Sequence, residues 1–90
     1  MKARSLLFAA SMALISAPAF AGGDADAGKA KYGEEKCDRC HFEDDFVEDA
    51  ESVIAAMLLA VKGGEVKHRS DLSGLSDEDI ANLAAFFASQ

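Results

Sequence analysis

Basic residues are scarce in this chain: Lys and Arg number 9 against 16 Asp and Glu over 90 residues. So few cations leave no cluster that could track a phosphate backbone, which excludes nucleic acid as a partner. Long apolar runs are absent as well. The longest, Leu6 to Ile15 and broken by Ser11, falls well short of the roughly 20 residues that span a bilayer, which argues against a membrane anchor. No stretch alternates apolar and polar residues convincingly enough for a strand, and no repeat or low-complexity tract is present. No second acid/base or nucleophile constellation stands out, so the sequence does not read as an enzyme.

What is present divides into two parts. Lys2 and Arg4 precede the apolar run, Pro18 follows it, and Ala19-Phe20-Ala21 supplies small residues where a signal peptidase cuts. The expectation is a signal peptide over 1–21, cleaved after Ala21, with residues 22–90 as a single periplasmic domain that has no membrane span. That remainder carries 7 basic and 16 acidic groups, a formal charge of −9. At this length apolar burial barely offsets chain entropy, so a staple is needed.

Three helices are expected. The first runs from about Ala25 to Glu35, capped by Asp24 or Asp26, with Gly28 inside it marking a close helix contact. The second runs from about Asp49 to Lys62 and stops at Gly63-Gly64; its apolar run Val53–Val61 is nearly all-round and predicts heavy burial. The third begins at Ser76, with Asp79 completing a capping box and Leu75 stapling onto Ile80. Ile80, Leu83, Ala84 and Phe87 follow helical spacing. Segments 36–48 and 63–75 read as loops, and the fold class is all-α.

The chemistry lies at Cys37-Asp38-Arg39-Cys40-His41. C-x-x-C-H is the attachment motif of c-type haem: two thiols three positions apart add to two vinyl groups, and the next imidazole ligates the iron. Three other readings compete. A thioredoxin-like pair would want a βαβ setting. A Cys37–Cys40 disulfide would close too small a loop to stabilise much. Zinc held by Cys37, Cys40, His41 and His68 has the right ligand count, but adjacent Cys40 and His41 supply two ligands awkwardly. Export, small size and helical pattern favour one covalent haem c on Cys37 and Cys40.

The segment from Gly23 through Cys37-Asp38-Arg39-Cys40-His41, together with Leu75 through Phe87, resembles the two ends of a class I c-type cytochrome. The resemblance implies a compact fold of about three helices packed around one haem. It also implies single-electron transfer between redox proteins through an exposed haem edge, by a free carrier or as the haem subunit of a larger redox enzyme. In that family a Gly and an aromatic on the first helix cross a Leu and an aromatic on the last; Gly28, Tyr32, Leu83 and Phe86 match that quartet.

The sequence departs from the family at the sixth iron ligand. Residues 63–75 contain no Met, where the family usually carries one, and no Pro. His68, seven residues before Leu75, is the first choice; Met57 in the second helix is the alternative, although it reads first as core filling. An open sixth position would instead make the chain a haem-based binder or sensor of small ligands. The acidic run Glu43, Asp44, Asp45, Glu48, Asp49 and Glu51 is expected to be a solvated face, and also a docking rim for a basic redox partner.

Overall fold

A computed structural model describes residues 23–90; the expected signal peptide lies outside the described residues. The order of elements is α1 (Ala25–Glu34), a 3-10 turn (Cys37–Arg39), α2 (Glu51–Lys62) and α3 (Asp77–Ala88). Among the described residues there is no strand, and no helix is long and apolar enough to cross a membrane.

Each helix end has a local cause. Asp24 caps α1, its carboxylate accepting from the N–H groups of Asp26 and Ala27. These are two of the donors that a helix start leaves without a partner. Ser76 and Asp79 close the expected capping box on α3, each side chain accepting from the other's backbone N–H at 3.0 Å. By contrast α2 starts at Glu51, two residues later than expected, because its cap position falls on Ala50, whose side chain offers no acceptor. Gly64, at φ 81°, turns the chain out of α2 in the left-handed region that glycine adopts without steric cost.

The core is where α3 meets α1 and α2. Ile80, Leu83, Ala84, Phe86 and Phe87 of α3 are buried with Tyr32 of α1 and Ile54 and Ala55 of α2. Gly28 explains the α1–α3 crossing. A Cβ there would overlap the Asn82 carbonyl and come within 2.8 Å of Phe86 Cβ, so only a residue without a side chain allows this approach. Gly23 is equally tight against the Ala81 carbonyl, a contact the sequence pattern did not suggest. Tyr32 packs on Phe86 with ring centres 5.2 Å apart, and Leu83 is 1% exposed, so the expected quartet forms the crossing.

The second helix departs from expectation. Only Ile54 and Ala55 of α2 are buried, whereas Val53 and Met57 are 47% and 40% exposed. The helix meets α3 along one side, and nothing among the described residues packs over Val53 and Met57 closely enough to bury them. Met57 is therefore not core filling.

Candidate functional site

The segment that leaves α1 is folded tightly enough to present its side chains in fixed order. Lys36 takes a left-handed conformation, φ 58°, uncommon for a residue with a Cβ. It redirects the chain into the 3-10 turn, where the N–H groups of Cys40 and His41 both donate to the Cys37 carbonyl. Segment 36–48 is thus more ordered than a plain loop. Cys37 is half-buried against the core and Cys40 is exposed; both are free thiols. Burial pushes the Cys37 thiol up, helped by the negative charges of Glu35 and Asp38. That is the reverse of the lowered thiol of a redox dithiol, and it keeps the sulfur protonated and slow to oxidise.

His41 is held from three directions. Its carbonyl accepts the Tyr32 hydroxyl at 2.7 Å. Its ring packs at 5.5 Å on Phe46, which packs edge-on at 5.1 Å against Phe87 of α3. Its Nδ1 lies 3.2 Å from Asp45 Oδ2, an oxygen that also accepts the Phe42 N–H at 3.0 Å. A carboxylate only accepts, so Nδ1–H donates and the lone pair of this imidazole sits on Nε2. Asp45 is exposed like its acidic neighbours, but its carboxylate is tied to the imidazole and to the backbone. Its position four residues after His41 was the available signal.

His68 has the same arrangement on the other loop. The turn at Gly64 and the buried side chains of Leu72 and Leu75 fix the ends of that loop. His68 Nδ1 lies 2.8 Å from the Ser70 carbonyl oxygen, again an acceptor only, so Nδ1–H donates and Nε2 keeps its lone pair. Metal-binding imidazoles show this habit, with one nitrogen tied to a carboxylate or carbonyl and the other left to ligate.

The two rings are brought together. Their centres are 6.2 Å apart and their planes differ by 9°. Face-to-face contact needs about 3.5–4 Å, so the rings are not held by stacking on each other. A separation of 6.2 Å is within the span of two imidazoles that share one metal. The donor types fit a haem: two thiols and an imidazole in sequence, a second imidazole nearby, and Phe46 packed on the His41 ring.

Two further expectations can be placed. Among the described residues no three His, Cys, Asp or Glu side chains are gathered as a metal-binding cluster, so Cys37, Cys40, His41 and His68 do not form a zinc tetrahedron. Glu43, Asp44, Asp45, Glu48 and Asp49 are exposed, beside a Phe42 that is 77% exposed. No family model matches the chain, and neither a curated protein nor a solved structure shows a match to it.

Proposed function

We propose that this chain is a periplasmic monohaem c-type cytochrome of the class I kind, carrying single electrons between larger redox proteins. Its haem c would be bound through Cys37 and Cys40 and ligated by His41 and His68. The observation that carries this reading is the pair of near-parallel imidazoles at 6.2 Å, one of which ends the C-x-x-C-H motif. The bound haem would supply one-electron iron chemistry; the chain supplies anchorage, ligand orientation and control of access. Cys37 and Cys40 would hold the macrocycle, Asp45 and the Ser70 carbonyl would orient the two ligands, and Phe46 links His41 to the aromatic core.

The role of a ligand binder or sensor needs an open sixth position, and a His68 ring 6.2 Å from the His41 ring supports the electron-carrier reading instead. Met57 stays the second choice: it lies on α2, whereas the His68 ring lies 6.2 Å from that of His41. The exposed acidic residues after the motif suit a basic redox partner, since opposite charge raises encounter rates at low salt.

The test is covalent attachment. Protein exported in a host that matures c-type cytochromes should have the mass of the chain from Gly22 plus one haem, and the haem should resist acid-acetone extraction. A bare polypeptide mass under those conditions overturns the reading.

A further inference from the structure

We infer that Asp45 is a positioning residue for His41 that also lowers the reduction potential of the site, an inference that rests on the haem reading above. One carboxylate oxygen, Oδ2, accepts from His41 Nδ1–H at 3.2 Å and from the Phe42 N–H at 3.0 Å. The second bond matters because it ties the carboxylate to the backbone next to the ligand, so ring and carboxylate are fixed in one frame. Phe46, the next residue, packs on the same ring at 5.5 Å, and segment 41–46 closes on itself around the imidazole.

The two candidate imidazole ligands are not equivalent. His68 donates to a neutral carbonyl, whereas His41 donates to a full negative charge. A carboxylate on the far nitrogen draws the Nδ1 proton towards itself and makes Nε2 the stronger donor. Stronger donation favours ferric over ferrous iron, so the charge on Asp45 lowers the potential. The bond also fixes the rotation of the ring, and the 9° angle between the two imidazole planes depends on it.

The experiment uses the holoprotein and three variants. Asp45→Asn keeps an oxygen acceptor of the same size and removes the charge. Asp45→Ala removes both. Asp44→Asn removes the same charge from the exposed neighbouring position and is the control. Each is titrated potentiometrically, and its ferric form is recorded by electron paramagnetic resonance. In Asp45→Asn the reduced-to-oxidised ratio at fixed potential should rise about tenfold, about 59 mV for a one-electron couple, with the resonance pattern of near-parallel imidazoles kept. Asp44→Asn should shift the ratio far less. Asp45→Ala should raise the potential and also change the resonance pattern, because the ring is free to turn.

Equal shifts in Asp45→Asn and Asp44→Asn, on protein with two imidazole ligands, would overturn the tuning role and leave the haem reading intact. An unchanged resonance pattern in Asp45→Ala would overturn the positioning role in the same way. Unmutated protein that holds no haem, or whose haem lacks two imidazole ligands, overturns the haem reading and this inference with it.

Discussion

The rings of His41 and His68 lie with centres 6.2 Å apart and planes 9° apart, although they sit on different loops. Each is held by a hydrogen bond of its own, to Asp45 Oδ2 and to the Ser70 carbonyl. Their spacing therefore does not come from attraction between the rings. It comes from two independently built loops, one leaving α1 through Lys36 and the other bounded by Gly64 and Leu72.

Replacing each candidate sixth ligand, His68 and Met57, should separate ligand from bystander. If the proposed haem is ligated by His68, His68→Ala should open its sixth position, giving high-spin iron that takes up carbon monoxide. Met57→Leu conserves volume at a side chain that is 40% exposed. It should leave the absorption spectrum unchanged and cost less than about 1.5 kcal/mol of stability. Spectra of the two variants side by side check this.

Gly28→Ala should destabilise the protein by about 1–3 kcal/mol or more, because the new methyl meets the Asn82 carbonyl and Phe86 Cβ rather than open space. Gly33→Ala, at a position with nothing within 4 Å, is the matched control and should be neutral or slightly stabilising. Chemical denaturation of the two variants checks the contrast.

Ser76→Ala removes the acceptor for the Asp79 N–H and should cost about 1 kcal/mol. Acid should act through the same box. The Ser76 N–H, aided by its hydroxyl and by Lys31 and Lys62, holds the Asp79 carboxyl below its ordinary value of 3.8. A depressed folded value means the contribution is whole above the unfolded value and is lost as pH falls through the folded one. Asp79→Asn should therefore be less stable than the parent near neutral pH and lose less on acidification below about pH 4. Denaturation midpoints across that range check it.

Tyr32→Phe keeps the ring contacts with Phe86 and Phe87 and loses the hydroxyl bond to the His41 carbonyl, at a cost of about 1 kcal/mol. Burial, with the charges of Asp38 and Glu43, raises the Tyr32 phenol above its ordinary 10.0. A raised folded value means the contribution is whole below the unfolded value and is lost as pH climbs through the folded one. The variant should accordingly lose less stability than the parent above about pH 10, as alkaline denaturation curves will show.

Much of this was legible in the sequence because it depends on short-range rules. The Ser76–Asp79 box needs only a three-residue spacing, and Gly28 with Tyr32 announced the α1–α3 crossing one helical turn apart. The burial of α2 was misread because an apolar run states what a helix is able to bury, not how many neighbours it has; α2 meets α3 along one side. Asp45 was hidden by composition. Among Glu43, Asp44, Glu48 and Asp49 its carboxylate looks like one more solvated charge, and only the turn at 41–45 aims it at an imidazole. The approach of His68 to His41 depends on where two loops end in space, which counting residues back from Leu75 cannot give.

The most direct measurement is the absorption spectrum of the unmutated protein, purified from a maturing host, in its ferric and ferrous states. The account predicts low-spin haem in both, no long-wavelength Met-to-iron band, and no ready uptake of carbon monoxide. A high-spin spectrum with rapid carbon monoxide binding, or a Met-to-iron band that Met57→Leu abolishes, would contradict it.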